Sequence, residues 1–264
     1  MISTLGTLPE HESDGTIDFL KEGAVVARGA EAVLLEGELL GFPVVIKRRL
    51  PKPYRDSGLD YRLRFNRTYE EGRLLAKAAR AGVSVPLPIF IDPPTFTIVE
   101  SRVRGRILKD VTDQASSLMK FVGVQLAKLH LSGVVHGDFT TSNVLVDQSG
   151  TPFIIDFGLG SSSTGLEERG VDLLLMKKSL EANAPSLAKQ LFSDFFEGYR
   201  ETFGEGSDDV LRRSGEIEKR GRYYAERAFE RDLPGYLKSW KAEGGSLHNG
   251  ALWHQGSTSQ GEEI

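Results

Sequence analysis

The sequence contains no cysteine, and it lacks the marks of several other protein classes. Without cysteine the chain forms no disulfides and no thiolate metal sites, as expected in a reducing compartment. No apolar run approaches the roughly 18 residues that a membrane-spanning helix needs. The first 18 residues contain no lysine or arginine, so we expect neither a secretory signal nor a mitochondrial presequence. We therefore expect a cytoplasmic or nuclear protein with no membrane partner.

The composition is otherwise that of an ordinary globular protein. The chain has 264 residues, 27% of them charged, and a formal net charge of −4. This length suffices to bury a substantial core. The mild acidity argues against a protein that coats nucleic acid over its whole surface.

Three polar residues occur in the order and spacing used by protein-kinase-like phosphoryl transferases. Asp138 lies in the run His-Gly-Asp-Phe-Thr-Thr-Ser-Asn, Asn143 ends that run, and Asp156 begins an Asp-Phe-Gly triplet. Two apolar runs predicted as strands, 144–146 and 153–155, lie between Asn143 and Asp156. In such enzymes one acid positions the attacking hydroxyl or water, while an amide and a second acid hold Mg²⁺ on the nucleotide phosphates. The pattern predicts phosphoryl transfer with ATP and Mg²⁺ as cofactors.

A lysine at the end of a predicted strand indicates part of a phosphate-binding site. Lys47 follows the apolar residues 44–46, as in the kinase pattern in which a strand lysine contacts the phosphates. Its expected partner is a glutamate on the next helix, where Glu70 and Glu71 are both available. Helical phase favours Glu71, because this residue shares the apolar face of the helix.

The loop expected to cover the phosphates has a single glycine. It lies between the first two predicted strands, but neither a full G-x-G-x-x-G nor a Walker A motif is present. A P-loop enzyme is therefore excluded as the main interpretation. The residues expected to contact ATP from this loop are Gly29, Ala30, Glu31, Ala32 and Val33.

The predicted secondary structure of the chain changes near residue 105. Residues 19–104 contain short β-type runs and one helix near 60–81, whereas residues 105–222 are predicted to be mainly helical. The predicted fold class is α+β: a bilobal protein-kinase-like fold, with a small β-rich N-lobe and a larger helical C-lobe. Residues 1–18 are expected to be a disordered leader, and residues 223–264 an extension that is partly disordered.

Several motifs occur together in the order found in one known family. They are Gly-Ala-Glu-Ala at 29–32, Lys47 with Pro-Lys-Pro-Tyr-Arg at 51–55, Arg-Thr at 67–68, the run 136–143, Asp-Phe-Gly at 156–158, Gly-Val-Asp-Leu at 170–173 and Arg-Gly-Arg at 220–222. This set resembles the small atypical serine/threonine kinase/ATPase subunit of the KEOPS complex. The resemblance extends from about residue 19 to residue 222.

The resemblance implies a role for each matching residue. Asp138 would be the catalytic base or water-orienting acid, and Asn143 and Asp156 would be the Mg²⁺ ligands. Lys47 with Glu71 would clamp the ATP phosphates.

The resemblance also implies partners. The family supports threonylcarbamoyl modification of adenosine in tRNA, docks on the threonylcarbamoyltransferase subunit among the other KEOPS subunits, hydrolyses ATP and phosphorylates itself. Its basic tail, matched here by Arg220 and Arg222, is implicated in tRNA contact. A solvated helix face is the alternative interpretation of these two arginines.

Two departures from ordinary protein kinases favour an ATPase-like role. Thr140 occupies the position where serine/threonine kinases place a lysine, and no Ala-Pro-Glu motif follows the short segment after Gly158. Two alternatives stay open: a small-molecule kinase of the aminoglycoside or choline type, and a nucleotide-binding scaffold without turnover.

Overall fold

A computed structural model describes residues 20–111, 116–232, 245–248 and 251–254. The predicted leader, residues 1–18, lies outside the described residues. The described residues up to Ser214 form one compact unit, and those from Gly215 onward form a second. The lobe boundary near residue 105 stays a prediction. In the part of the chain that the structure describes, none of the helices combines the length and the apolar composition that a membrane span requires.

The N-terminal part of the chain builds a five-stranded antiparallel sheet in the order β1-β2-β3-β5-β4. Its strands are β1 Leu20–Arg28, β2 Ala32–Leu39, β3 Phe42–Arg49, β4 Pro88–Asp92 and β5 Thr97–Ser101. β2 and β3 form an antiparallel hairpin. Its two turn residues, Leu40 and Gly41, have φ of 51° and 84°, the left-handed pair that a tight hairpin turn requires.

One helix, α1 (Ser57–Arg80), packs against β4 and β5. It begins where the Asp56 carboxylate accepts a hydrogen bond from Leu59 N at 3.0 Å. It ends just before Gly82, whose φ of 73° suits a residue that follows a helix. A Cβ on Gly72 would lie 2.6 Å from Ile91 Cδ1, so the close approach of α1 to β4 depends on this glycine.

The second part of the chain is mainly helical, with a small sheet. Its helices are α2 Ser116–Leu131, α3 Leu166–Asn183, α4 Ala188–Phe203 and α5 Ser207–Asp232. Its strands are β6 Gly105–Ile107, β7 Val144–Asp147 and β8 Pro152–Ile154, paired in that order. β7 and β8 match the predicted strands. β6 was not predicted, because three residues are too few to show an alternating pattern.

The α2 and α4 helices form the closest helix pair of the core. A Cβ on Gly123 would lie 1.9 Å from Phe195 O, and one on Gly198 would lie 2.0 Å from Lys120 O. The two backbones therefore touch at positions where only glycine fits. Phe195 and Tyr199 are fully buried on the same face of α4, and they join α2 and α3 in one apolar core.

The described part of the predicted extension contains a short antiparallel pair. Its strands are β9 Gly245–His248 and β10 Ala251–His254. No strand was predicted here, where glycine and serine suggested disorder. The sequence between the two strands is Asn-Gly, the dipeptide typical of two-residue hairpins. Residues 233–244 lie outside the described residues.

Candidate active site

A cavity of about 810 Å³ lies between the five-stranded sheet and the loops around β7 and β8. Nearly all of the residues predicted from the sequence line it. They are Gly29, Ala30, Glu31, Ala32, Lys47, Glu71, Asp138, Asn143 and Asp156. The fold thus brings together residues from five separate segments of the chain.

Val33 is the exception, and its predicted place in the site is wrong. Ala32 and Leu34 line the cavity, but Val33 does not, and only 6% of its surface is exposed. Successive side chains on a strand point to opposite faces of the sheet, so Val33 of β2 faces away from the cavity.

Lys47 is held between two carboxylates. Its Nζ lies 2.5 Å from Glu71 Oε1 and 2.8 Å from Asp156 Oδ1. The second oxygen of Glu71 accepts a hydrogen bond from Arg49, so one buried glutamate orders two cations from β3. Glu70 instead bonds Arg73 on the exposed side of α1. The structure therefore selects Glu71 over Glu70, as helical phase predicted.

These contacts keep both ends of the Lys47–Asp156 pair charged. Burial acts to lower the pKa of Lys47, but Glu71 and Asp156 outweigh it and raise this pKa above its ordinary value. Burial likewise acts to raise the pKa of Asp156, but Lys47 and the Gly158 N–H outweigh it and lower this pKa. Without a bound ligand, Lys47 is therefore already the cation that phosphate binding requires, and Asp156 is already the anion that metal binding requires.

The β7–β8 hairpin explains the sequence distance between Asn143 and Asp156. Val144 pairs with Ile154, and Ile155 N donates to Asn143 O at 3.0 Å. The residue before β7 and the residues after β8 therefore end side by side. Because the hairpin fixes this register, an amide and a carboxylate thirteen positions apart reach the same end of the cavity.

The Asn143 side chain is oriented by Asp138. Its Nδ2 donates to the backbone oxygen of Asp138 at 2.8 Å and to Asp138 Oδ2 at 2.9 Å. Both amide hydrogens are thus directed to Asp138, and the amide oxygen is left for a cation. The same contact fixes the Asp138 carboxylate within residues 136–143, which we call the catalytic loop.

Asp156 occupies a strained backbone conformation. Its φ is 63°, in the left-handed region that a residue with a side chain rarely adopts. Gly158 N donates to Asp156 Oδ1 at 3.1 Å and stabilises this turn. Strain of this kind is typical of functional sites, where surrounding contacts over-determine the geometry.

Asp172 on α3 anchors the catalytic loop, a role that sequence reasoning missed. Its carboxylate accepts hydrogen bonds from His136 N at 2.7 Å and from Gly137 N at 2.8 Å. The His136 ring contacts Ile155 O at 3.0 Å, which ties the loop to the segment carrying Asp156. Asp172 belongs to the Gly-Val-Asp-Leu motif, whose sequence alone does not indicate this contact.

His130 completes the network beneath this loop. Its Nε2 lies 3.1 Å from Asp172 Oδ2, and its Nδ1 lies 2.9 Å from the Tyr199 hydroxyl. The neutral ring satisfies both partners when Nε2 carries the proton. Burial lowers the pKa of His130 despite the neighbouring Asp172, so this neutral form is the stable one.

Basic side chains hold the loop that is predicted to cover the phosphates. Gly29 N donates to Ala32 O at 2.9 Å and closes the turn. Arg67 lies 2.7 Å from Glu31, and Lys52 donates to Ala30 O. Arg67 and Lys52 both belong to motifs of the family resemblance, and their contacts with this loop were not predicted.

Arg220 and Arg222 lie on α5, a continuous helix to Asp232. Arg220 is exposed, and the side chain of Arg222 lies outside the described residues. Their proposed contact with tRNA stays a prediction.

The donor set of the cavity fits magnesium. Asn143 and Asp156 offer two oxygen ligands, and the described residues contain no group of three or more histidine or acidic ligands that would form a complete metal cage. Mg²⁺ in nucleotide sites takes one or two protein oxygens and completes its shell with phosphates and water. The residues present therefore fit a metal that arrives with a nucleotide.

Comparison with known proteins defines the class. A family model described as the RIO domain matches residues 61–163. The fold is similar to that of the Rio2 kinase of Chaetomium thermophilum, solved as an ADP/Mg²⁺-phosphoaspartate complex, with a TM-score of 0.50 and 20% identity over 77% of this chain and 72% of that one. The predicted α+β, protein-kinase-like fold is confirmed.

Sequence relatives define the family more closely. The chain is 35% identical to the KEOPS complex subunit Bud32 of Pyrococcus abyssi, over 75% of this chain and 96% of that protein. The chain therefore belongs to the Bud32 family, as the motifs predicted. It is also 37% identical to a probable bifunctional tRNA threonylcarbamoyladenosine biosynthesis protein of Methanobrevibacter smithii, over 199 residues. It spans only 36% of the length of that longer relative.

Proposed function

We propose that this protein is the ATP-hydrolysing, kinase-like subunit of a KEOPS complex and supports threonylcarbamoyladenosine formation in tRNA. The observation that carries the proposal is the arrangement of Lys47, Asp138, Asn143 and Asp156 around one cavity. The names of its relatives, a KEOPS subunit and a tRNA threonylcarbamoyladenosine biosynthesis protein, supply the biological setting.

Different residues of the cavity would hold the phosphates and the metal of Mg-ATP. Lys47, fixed by Glu71, would contact the phosphates, and the oxygens of Asn143 and Asp156 would hold Mg²⁺. The bound metal would neutralise charge on the phosphates as the terminal phosphoryl group leaves. Gly29–Ala32, held by Arg67 and Lys52, would cover the phosphates through backbone N–H groups.

Asp138 would act on the acceptor. Its Oδ2 is engaged by Asn143, which fixes the orientation of the carboxylate at the cavity surface. We assign it the positioning of the attacking oxygen and acceptance of its proton. No arginine or lysine follows it within the loop, since Thr140 takes the usual lysine position.

The acceptor is water or a group presented by a partner protein. Only residues 159–165 separate the Asp-Phe-Gly triplet from α3, which begins at Leu166. This segment is too short to build the platform on which protein kinases hold a peptide. We therefore expect slow serine/threonine autophosphorylation and little activity on free peptides.

Phosphate release from ATP tests the proposal. We expect Mg²⁺-dependent hydrolysis that increases when the threonylcarbamoyltransferase subunit and tRNA are added and disappears in Asp156→Ala. Turnover unchanged by both additions would contradict the complex-bound role. In that case phosphorylation of small alcohols becomes the relevant assay, and nucleotide binding with no turnover would identify a scaffold.

A further inference from the structure

Arg49 is a buried cation of the cavity to which the proposed phosphate chemistry gives no role. It lies on β3 two residues after Lys47, and alternate residues of a strand share a face of the sheet. Both side chains therefore line the cavity, whereas Arg48 between them does not. Only 5% of the Arg49 side chain is exposed, and its Nη2 donates to Glu71. A buried cation that faces a nucleotide cavity is a candidate for contact with the phosphates.

Arg49 lies at the base of the loop that is predicted to cover the phosphates. Its partner on β2 is Ala32, the last residue of that loop, and opposed residues of neighbouring strands share a face. The next residue, Leu50, donates its backbone N–H to Glu31 O at 3.0 Å, which bonds β3 to the loop itself. Arg49 is therefore at the end of the cavity where the phosphates are expected.

The Arg49 guanidinium also neighbours the expected metal ligand. A Cβ placed on Gly158 would lie 3.5 Å from Arg49 Nη2 and 3.0 Å from Asp156 Oδ1. One point beside the Asp-Phe-Gly triplet is thus close to both side chains. Mg²⁺ bonds its oxygen ligands at about 2.1 Å and takes phosphate oxygens into the same shell. A phosphate on a metal held by Asp156 would therefore lie within reach of Arg49.

The guanidinium has hydrogen-bonding capacity left. A guanidinium carries five N–H donors. Glu71 takes one of them at Nη2, and the buried Nε of Arg49 has no hydrogen-bond partner in the part of the chain that the structure describes. A buried donor without an acceptor is costly, and a phosphate brings several acceptor oxygens that relieve this cost. The planar guanidinium is also able to bond two phosphate oxygens at once.

The negative charge of the cavity leaves a role for a cation besides Lys47. Asp138 and Asp156 supply carboxylates, and Glu100 of β5 adds part of a charge near neutral pH, because burial raises its pKa to about 7. Mg²⁺ and Lys47 have to offset these groups as well as the phosphates. Serine/threonine kinases add a lysine two residues after the catalytic acid, where this chain has Thr140. A cation from another element would fill that role.

We propose that Arg49 is a second phosphate-binding cation, which contacts the terminal phosphoryl group of ATP during its transfer in place of the missing kinase lysine. This inference rests on the proposed function and adds a catalytic residue to the same site. In this step the acceptor oxygen bonds the terminal phosphorus, the bond from that phosphorus to the bridging oxygen breaks, and ADP leaves with the electron pair. Asp138 takes the proton of the acceptor. Arg49 keeps its own protons, stays bonded to Glu71 and stabilises charge on the phosphoryl oxygens.

Nucleotide turnover and binding by the full chain test this inference. The kcat and KM of phosphate release from Mg-ATP would be measured, together with the Kd of Mg-ADP with and without aluminium fluoride, an anion that mimics the phosphoryl group in transfer. We expect Arg49→Gln to lower kcat by about 100-fold and to abolish the tighter binding of Mg-ADP that aluminium fluoride causes. The Kd of Mg-ADP alone should change by less than about threefold, because ADP lacks the terminal phosphoryl group.

Two further variants keep the test decisive. Arg48→Gln is the matched control, because Arg48 lies on the other face of β3 and bonds Glu22, and it should keep the native constants. Arg49→Lys keeps a cation beside Glu71 and decides the matter if Arg49→Gln does not fold. Its kcat should fall by about tenfold or more, since an ammonium is a single point charge without the planar fork.

The contrary outcomes are distinct. If Arg49→Gln weakens Mg-ADP by the same factor with and without aluminium fluoride, Arg49 acts only by positioning Glu71, and the inference fails. A native kcat in either Arg49 variant also overturns it. If the native chain neither binds Mg-ATP nor releases phosphate, the proposed function itself fails. Thermal melts show which variants are folded.

Discussion

Lys47 Nζ and Glu71 Oε1 lie 2.5 Å apart, and the second oxygen of Glu71 bonds Arg49. Side chains of all three residues are at most 12% exposed. Glu71 therefore carries two buried cations at once. Its loss leaves Lys47 with Asp156 as its remaining anion and removes the anion paired with Arg49, and a buried charge without a partner is strongly destabilising.

We predict that Glu71→Gln lowers the free energy of unfolding by about 3 kcal/mol and weakens Mg-ATP binding. Glu70→Gln is the matched control, because Glu70 pairs with Arg73 where both side chains are at least 40% exposed. The control should change stability by less than about 0.5 kcal/mol. Denaturant unfolding and nucleotide titration measure both effects, and equal effects of the two substitutions would contradict the assignment.

Asp172 provides the second prediction. Asp172→Ala removes the acceptor of two backbone N–H groups and of buried His130, so we expect a loss of about 3 kcal/mol of stability. Phosphate release should also fall, because the loop that positions Asp138 loses its anchor. Asp172→Asn keeps the shape and one acceptor oxygen, and should lose less. A melting temperature unchanged in Asp172→Ala would show that the loop is held by other contacts.

The third prediction concerns pH and Glu100. The folded protein keeps this carboxyl protonated up to about pH 7, whereas in the unfolded chain it ionises near its ordinary value of 4.5. Its stabilising contribution is therefore complete below pH 4.5 and is lost as pH rises to about 7. The stability of the native protein relative to Glu100→Gln should fall by on the order of 1–3 kcal/mol over this range. Parallel stability curves for the two proteins would contradict the raised pKa.

The fourth prediction tests the α2–α4 contact. Gly123→Ala places a methyl group against Phe195 O, so we expect at least about 2 kcal/mol of destabilisation. Gly215→Ala on α5 meets nothing within 4 Å and should be neutral or stabilising by up to about 1 kcal/mol, since alanine is the better helix former. Chemical denaturation compares them directly. Similar stabilities for the two variants would show that the helices separate at little cost.

Local patterns predicted the parts of the site that local geometry controls. The hairpin of β7 and β8 sets the distance from Asn143 to Asp156, and helical phase sets Glu71 inward, so spacing alone was informative. Asp172 was different, because it meets His136 across 36 residues and no short pattern marks that contact. Val33 was assigned wrongly to the cavity because the motif was treated as a continuous run of residues, whereas successive side chains of a strand point to opposite faces of the sheet.

Glu100 shows a further limit of sequence reasoning. An acidic residue near the end of a strand ordinarily faces water, and nothing adjacent in the sequence indicates otherwise. Its place in the cavity follows from the pairing of β5 with β3. In this pairing Glu100 lies opposite Val45, which is 55 positions earlier in the chain. Such tertiary register decides which polar residues enter a site.

Reconstituted tRNA modification is the decisive test of the role proposed for this chain. Threonylcarbamoyladenosine formed per tRNA would be measured for the complex carrying the native chain, Asp156→Ala or Glu38→Gln as a surface control. We predict full product with the native chain and the control, and a loss of at least about 100-fold with Asp156→Ala, because the Mg²⁺-phosphate contact is made most strongly in the transition state. Equal product from native and Asp156→Ala complexes would contradict it.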